Sequence, residues 1–333
     1  MTLLQVASEE WLYMLQEDTR HSLAIEGYFV TDEELEAVLG GRRGSLEVLN
    51  YFRTAQFVYG LAFQYLQEGT WHLDVALINT IHAQLFQGTS QERHRGQPAD
   101  GVQRTIAGAQ VRPPLEATSY LRAFTQLMPR LFQAREVLEA LAKAHTLFEA
   151  IHPYRDGNGR VGRILLNYLA ILKGLPPLAI KGLSQEERRR YYAALQEADR
   201  GFHKSFPPPE PQALLEALDA GQFEPLALLL AESLLARVDT LLALTLLRYT
   251  DLMPLEKVAQ ELGVDRLLVY QWVRRKRLVV YRPGGKRRPL SHPWLFLGTR
   301  EHPPSAPNPF PPERPGWEER ARAWQRTLFD LGA

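Results

Sequence analysis

The sequence predicts a mainly α-helical protein that carries a small β-hairpin flap and is followed by a winged helix-turn-helix domain. Three observations favour this fold class. Apolar residues recur at steps of three and four through most of the first 250 positions, strand-like alternation is scarce, and the composition turns basic beyond Arg274. A chain of 333 residues with 45% hydrophobic composition is also long enough to bury more than one core.

The chain divides by pattern into four segments. We expect N-terminal helices over 1–50, the main helical domain over 51–235, a linker helix with the winged helix-turn-helix over 236–300, and a tether with a final helix over 301–333. Seven prolines between Glu301 and Gly316 predict the tether. The final segment sets Trp317 and Trp324 at helical spacing, so a homo-oligomer formed through this helix is an open expectation.

Charge balance and the lack of cysteine exclude several kinds of site. The 39 basic and 38 acidic residues nearly cancel, so no field of the whole molecule selects nucleic acid or membrane. Without cysteine the chain has no disulfides, thiolate zinc sites or thiol nucleophiles. Its first residues lack the basic start of a secretory signal, and no apolar run reaches the roughly 18 uncharged residues of a membrane span. We expect a soluble, cytoplasmic protein with no membrane contact.

The stretch 96–114, GQPADGVQRTIAGAQVRPP, is the exception to the helical pattern. Glycines mix there with β-forming residues, and two prolines end it. It predicts the small hairpin, with a plain surface loop as the alternative.

The loop HPYRDGNGRVGR, residues 152–163, joins two predicted helices with buried apolar faces. A simple turn would explain Asp156, Gly157, Asn158 and Gly159 but not their neighbours. Glycines at a helix start leave backbone N–H groups bare, and a helix N-terminus already favours an anion. The loop therefore predicts a phosphate cradle.

Side chains around this cradle suit nucleotidyl or phosphoryl transfer. Arg160 and Arg163 follow at a step of three, so both flank the cradle. A carboxylate at Asp156 beside a polyphosphate is suited to Mg²⁺. His152 is an imidazole that can accept a proton from an attacking hydroxyl near neutral pH.

This loop resembles the signature of Fic-domain proteins, His-Pro-Phe-x-Asp/Glu-Gly-Asn-Gly-Arg-x-x-Arg, with Tyr154 in the aromatic place. The resemblance extends over about residues 17–235 and implies a Fic-type helical domain. It further implies ATP as substrate, Mg²⁺ as cofactor, and transfer of AMP to a protein hydroxyl. The implied roles are general base for His152, magnesium ligand for Asp156, and phosphate binding for Gly157, Asn158, Gly159, Arg160 and Arg163. Tyr192 resembles the tyrosine near the nucleotide base, with core packing as the alternative.

A second motif lies near the N-terminus. Ser22 to Gly27, SLAIEG, resembles the family's inhibitory motif, Ser/Thr-x-x-x-Glu-Gly/Asn. The resemblance implies that Glu26 pairs with Arg163 in the space of the ATP γ-phosphate, so that ATP binds unproductively. The alternative is that Ser22 and Glu26 are an ordinary pair four residues apart on a helix.

The hairpin also has a counterpart in the family, where it pairs with the incoming target segment by strand addition. The resemblance implies that a Ser, Thr or Tyr hydroxyl of a protein substrate docks at 96–114. Ala99 stands where an arginine is often found, which leaves the details of docking open.

The C-terminal basic module reads as helix, glycine turn, helix, strand, tight turn and strand over 254–288. A recognition helix would present cationic and hydrogen-bonding groups to DNA, and a wing would contact its backbone. The residues expected to do so are Arg266, Tyr270, Gln271, Arg274 and Arg275 on the helix, and Lys286, Arg287 and Arg288 on the wing. A protein-docking module is the alternative.

Protein adenylylation restrained by Glu26 is the leading function at this point. One alternative is a related reaction on the same scaffold, either removal of AMP with Glu26 as the water-activating base or transfer of another phosphate-linked group. Another is a DNA-binding regulator that only senses nucleotide. An intact His152 disfavours the regulator, since a pure binder needs no base beside the cradle.

Overall fold

The computed structural model describes residues 8–39, 45–133, 136–247, 250–282 and 288–296. They form two compact units, one spanning Met14–Leu234 and the other containing the described residues before and after it. The predicted tether and final helix over 301–333 lie outside the described residues, as does the wing tip with Lys286 and Arg287. The functional division into four segments stays a prediction.

The prediction of a mainly helical chain is confirmed. The helices are α1 Ser8–Ile25, α2 Asp32–Leu39, α3 Leu46–Glu68, α4 Val75–Leu85, α5 Ala117–Leu131, α6 Val137–Ile151, α7 Asn158–Leu172, α8 Gln185–Ala198, α9 Pro211–Asp219 and α10 Glu224–Leu246. Short 3₁₀ turns cover Glu92–His94 and Arg200–Phe202. Within the described residues, no helix is both long enough and apolar enough to span a bilayer.

Helix α7 is the centre of the first unit. It packs against α3, α4 and α6, and nearly every one of its residues is buried. A helix buried on all sides must satisfy its polar side chains internally. Asn167 does so by donating to the Tyr59 hydroxyl at 2.7 Å and to the Leu178 carbonyl at 2.9 Å. These bonds help to hold α7 in its buried position.

The hairpin predicted for 96–114 is not formed as paired strands; this prediction is wrong. The segment is irregular, with a turn in which Ala109 N–H donates to Ile106 O at 3.1 Å. The buried Arg104 side chain supplies the physical reason, because it donates to the carbonyls of Ala99, Val102 and Pro114. These carbonyls are satisfied by a guanidinium rather than by a neighbouring strand.

The second unit contains β1 Met253–Pro254, α11 Leu255–Leu262, α12 Arg266–Arg274, β2 Leu290–Ser291 and a 3₁₀ turn at Pro293–Leu295. Strands β1 and β2 are antiparallel, with Met253 opposite Ser291. Asp265 caps α12 by accepting from Leu267 N–H at 2.7 Å. The order of helices matches the predicted helix-turn-helix, whereas the wing stays a prediction.

The apolar residues of α12 differ in burial, since Val269 is fully buried whereas Leu268 is 36% exposed.

Candidate active site

The loop between α6 and α7 is closed by the Asn158 side chain. Its Oδ1 accepts from the Tyr154 N–H, and its Nδ2 donates to the Tyr154 carbonyl, each at 2.8 Å. The Tyr154 ring stacks on His82 with centroids 3.9 Å apart, and His82 Nε2 lies 3.2 Å from the Asp156 carbonyl. The Asn158 side chain therefore braces the loop, and only its backbone is left for an anion.

His152 ends α6 in a left-handed conformation, with φ 48° and ψ 57°. Its Nδ1 lies 3.2 Å from the Glu149 carbonyl, which fixes Nδ1–H as the donor and leaves Nε2 as the basic nitrogen. Burial lowers the pKa of His152 to about 4, and the charge of Arg104 acts in the same direction. The imidazole is consequently neutral at pH 7 and able to accept a proton.

The anion end of the site is built from glycine backbone and a buried arginine. Gly157 precedes α7 with φ 75°, and Arg163 on α7 is 3% exposed. A Cβ at Gly159 would lie 2.5 Å from Glu26 Oε1 and 3.0 Å from Arg163 Nη1, so only glycine leaves room for both side chains. The open backbone here allows a charged group to approach the helix start.

Arg163 is paired by residues of α1. Its Nη2 donates to Glu26 Oε1 at 2.5 Å and to the Ser22 carbonyl at 3.1 Å, and its Nε donates to Ser22 Oγ at 2.7 Å. Burial acts to raise the pKa of Glu26, but the charge and hydrogen bond of Arg163 prevail and hold it below its ordinary value. The two motifs identified in the sequence, 141 positions apart at Ser22 and Arg163, thus meet.

Arg160 and Asp156 form a second charged pair at this loop. Arg160 is 4% exposed, and its guanidinium lies over the Phe86 ring at 4.8 Å. Its Nη2 is 3.5 Å from Asp156 Oδ1, which also accepts from the Gly157 N–H at 2.6 Å. Neither side chain lines the cavity described next.

The structure brings five of the predicted residues to one cavity of about 680 Å³, a volume in the range of nucleotide-sized sites. They are His152, Gly159, Arg163, Glu26 and Tyr192. The Tyr192 ring is half exposed, with its hydroxyl donating to the Ile25 carbonyl at 3.2 Å, so the core-packing alternative applies to Tyr191 instead. Turn residues 106–109 of the 96–114 segment close the cavity on another side.

A magnesium ion fits Asp156 only together with a ligand. Across the described residues there is no cluster of three or more acidic or histidine side chains suited to a metal. Asp156 Oδ1 is engaged by Gly157 and Arg160, while the side chain is 53% exposed. Because Mg²⁺ is commonly held by one or two carboxylates plus phosphate oxygens, this donor set is compatible with it.

Several residues of the cavity were not predicted from the sequence, among them Thr146 and Glu149. Thr146 and Glu149 lie on α6 and line the same cavity as His152. Their signal was the spacing, because Thr146, Glu149 and His152 follow at steps of three and share a helix face.

The residues predicted to contact DNA are exposed where the structure describes them, and their role stays a prediction. Arg266, Tyr270, Gln271, Arg274 and Arg275 are exposed on or just after α12, and Arg288 is exposed as well. The Tyr270 hydroxyl donates to Glu256 Oε1 at 3.0 Å.

Comparison with known proteins gives the fold a family context. The Fic/DOC family model matches residues 72–170. The chain is 36% identical over 201 residues to the probable protein adenylyltransferase aq_aa38 of Aquifex aeolicus (strain VF5), covering 60% of this chain and 59% of that relative. It is 41% identical over 69 residues to protein adenylyltransferase fic-1 of Caenorhabditis elegans, covering 21% of this chain and 13% of that relative.

A solved structure supports the fold itself. The Fic domain containing signaling protein from Bacteroides thetaiotaomicron VPI-5482 superposes with a TM-score of 0.54 at 20% identity, covering 71% of this chain and 91% of that protein. The predicted Fic-type helical domain is thereby confirmed. The chain spans about three fifths of the Aquifex relative and much less of the nematode one.

Proposed function

We propose that this chain is a protein adenylyltransferase, which transfers AMP from ATP to a Ser, Thr or Tyr hydroxyl of a protein. The observation that carries the proposal is the convergence of a neutral His152, the open backbone at Gly159 and the buried Arg163 on one cavity. Base and anion site are the two elements that nucleotidyl transfer requires. The relatives named protein adenylyltransferases support the choice of this reaction.

His152 acts as the general base in this proposal. As the acceptor hydroxyl attacks the α-phosphorus of ATP, its proton passes to Nε2, and the bond between the α-phosphorus and the bridging oxygen breaks to release pyrophosphate. The Nδ1–H bond to the Glu149 carbonyl keeps the ring oriented and stabilises the imidazolium that forms. Because the ring is neutral at pH 7, it needs no prior loss of a proton.

Charge on the departing phosphates is met by groups that are fixed in place. The N–H groups at the start of α7 and the Arg163 guanidinium supply positive potential, and Arg160 adds to it from its place over the Phe86 ring. When bound, Mg²⁺ at Asp156 would neutralise phosphate charge. Tyr192, half exposed at the other end of the cavity, offers a ring face to the base.

Autoinhibition by Glu26 follows from the same geometry. Its carboxylate occupies the guanidinium face that a terminal phosphate would use. A phosphate must displace this carboxylate to reach Arg163, so the enzyme rests in a restrained state. Glu26 is 28% exposed, which allows it to leave without burying an unpaired charge.

The protein substrate is proposed to dock along 96–114. Residues 103, 105, 107, 108, 110 and 112 of this irregular segment are exposed. In this proposal an incoming chain pairs with main-chain groups of the exposed residues, which gives affinity with little sequence demand.

The test is covalent labelling by α-labelled ATP with Mg²⁺, using wild type, Glu26→Gly and Glu26→Gly/His152→Ala. We expect weak labelling of protein by the wild type, an increase of at least tenfold with Glu26→Gly, and loss of label by about 100-fold or more once His152 is removed. Arg122→Gln, an exposed change on α5, serves as the matched control and should label as the wild type does.

Other results separate the alternatives. Release of AMP from a pre-labelled protein, abolished by Glu26→Gly, would favour the removal reaction. If only a nucleotide other than ATP labels protein, the enzyme transfers a different phosphate-linked group. If no variant labels protein while the wild type binds ATP, the chain is a nucleotide sensor and the transferase proposal fails.

A second function, DNA binding by the C-terminal module, is supported by the row of exposed cationic and polar side chains on α12. We expect a duplex to bind with an affinity that falls steeply with salt, and Arg274→Gln/Arg275→Gln to weaken it and flatten that dependence. Fluorescence anisotropy measures both. Unchanged affinity in this variant, against the Arg122→Gln control, would favour a protein-docking module.

A further inference from the structure

Two side chains that line the cavity each carry a buried oxygen atom without a hydrogen-bond partner among the described residues. These atoms are Oγ1 of Thr146, a residue only 1% exposed, and Oε1 of Glu149. An unsatisfied polar atom of this kind costs free energy in the folded protein, so it commonly marks the place of a ligand or an ordered water. Both side chains line the cavity that holds His152 and Arg163.

Two neighbouring side chains, His145 and Arg163, leave Glu149 Oε1 unsatisfied because their own groups are engaged elsewhere. His145 Nδ1 lies 3.3 Å from the Gly162 carbonyl, and its Nε2 lies 2.8 Å from the Tyr191 hydroxyl. Glu149 Oε1 is 4.0 Å from His145 Nε2, beyond hydrogen-bond distance. Arg163 directs its bonds to Ser22 and Glu26.

The position of Glu149 along the cavity limits what it can meet. A Cβ added at Gly162 would collide with Glu149 Oε1, so the carboxyl is packed on α7 one turn beyond Gly159. That turn corresponds to about 4.5 Å along the helix. The carboxyl thus lies next to the anion end of the cavity. A nucleobase lies farther from the phosphates than this, so the carboxyl is not placed to meet the nucleobase.

We infer that Thr146 and Glu149 bind a ribose hydroxyl of the nucleotide, an inference that rests on the proposed function. In ATP the ribose is the group joined directly to the phosphates, and its vicinal hydroxyls both donate and accept. An acidic side chain is a common partner for such hydroxyls in nucleotide sites. The Thr146 hydroxyl and the Glu149 carboxyl lie about one turn apart on α6. The hydroxyl can donate and accept a hydrogen bond, and the carboxyl accepts when ionised and donates when protonated.

The protonation of Glu149 is compatible with this role. Burial raises its pKa to about 7, with Arg163 opposing and Glu26 adding to the rise. Near neutral pH the carboxyl is therefore present in both forms. The acid can donate to a ribose oxygen and the carboxylate can accept from a hydroxyl.

The test compares ATP, 2′-deoxy-ATP and 3′-deoxy-ATP by calorimetric titration with Mg²⁺. The full chain carries Glu26→Gly and His152→Ala throughout, so that the phosphate site is open and no transfer consumes the ligand. Glu149→Ala, Glu149→Gln and Thr146→Val are added singly, with Glu216→Ala, an exposed residue of α9 outside the cavity, as the control. Thermal unfolding confirms that each variant is folded.

With Glu149 present, we expect one deoxynucleotide to bind about tenfold more weakly than ATP. With Glu149→Ala, ATP and that analogue should bind equally, whereas Glu149→Gln and the control should keep most of the difference. Thr146→Val should reduce it in part.

Two outcomes would overturn the inference. If Glu149→Ala leaves the discrimination between ATP and its analogues unchanged, or if no analogue is discriminated by the parent chain, Glu149 does not read the ribose. In that case ATP still binds and the proposed function survives. If no chain binds any of the three nucleotides, the proposed function fails and the inference with it.

Discussion

Two neighbouring parts of the cavity differ in how their polar groups are satisfied. In the paired part, the anion end, Arg163 is held by Glu26 and Ser22 with three hydrogen bonds. In the unpaired part next to it, Thr146 and Glu149 each carry a buried oxygen without a hydrogen-bond partner among the described residues. A ligand must displace a carboxylate from the paired part, whereas the unpaired part holds polar atoms that a ligand can still satisfy. Under the proposals above, restraint and nucleotide recognition fall to different side chains of one cavity.

Breaking the paired part should have the largest effect on stability. Arg163→Met keeps the length of the side chain but leaves Glu26 and Ser22 without their partner. We expect the free energy of unfolding of the first unit to fall by about 3 kcal/mol, since one member of a buried ion pair is lost. Urea unfolding followed by circular dichroism measures it. Arg122→Met should change it by less than about 0.5 kcal/mol, and an equal loss in both would remove the distinction.

The unpaired part of the cavity should affect the pH dependence of the free energy of unfolding. The pKa of Glu149 is raised from 4.5 to about 7 in the folded protein, so its contribution to stability is fully present below pH 4.5 and is lost as pH rises through 7. The loss amounts to about 3 kcal/mol between pH 4.5 and 8. Glu149→Gln should lack this pH-dependent component. Its free energy of unfolding relative to wild type should therefore be higher at pH 8 than at pH 4.5. Parallel pH profiles of wild type and variant in urea unfolding would contradict the assignment.

The packing between Glu149 and α7 can be tested by a smaller change. Gly162→Ala forces the Glu149 carboxyl away from α7 and should cost about 2 kcal/mol. In a Glu149→Ala background the same change should cost about 1 kcal/mol less, because the collision is gone. A double-mutant cycle by urea unfolding gives the coupling. A coupling near zero would mean that the Phe148 contact, at 3.1 Å from the same Cβ position, dominates.

The sequence predicted well what depends on local pattern. Helical spacing predicted the helices around the site, and the loop 152–163 predicted that glycine backbone lies at the start of a buried helix. The prediction of a hairpin over 96–114 was wrong because local pattern does not show that the Arg104 side chain satisfies three carbonyls of the segment. Glu149 was not predicted for a related reason, since the lack of a partner for its Oε1 is a property of packing and not of residue spacing.

Arg160 illustrates a third kind of limit. Its position next to the cradle predicted a direct phosphate clamp, yet the side chain lies over Phe86, which is a residue of the turn after α4. Nothing in the local motif specifies which aromatic ring a guanidinium will meet. Whether Arg160 binds phosphate directly stays a prediction.

The Tyr154 hydroxyl has a consequence for how such sequences diverge. It donates to Asn79 Oδ1 at 2.8 Å, so the aromatic position of the loop and a position on α4 form one hydrogen-bonded unit. Chains with phenylalanine at the aromatic position have no such demand at the position of Asn79. The two sites should therefore vary together among homologues, with polar side chains on α4 accompanying tyrosine and apolar ones accompanying phenylalanine.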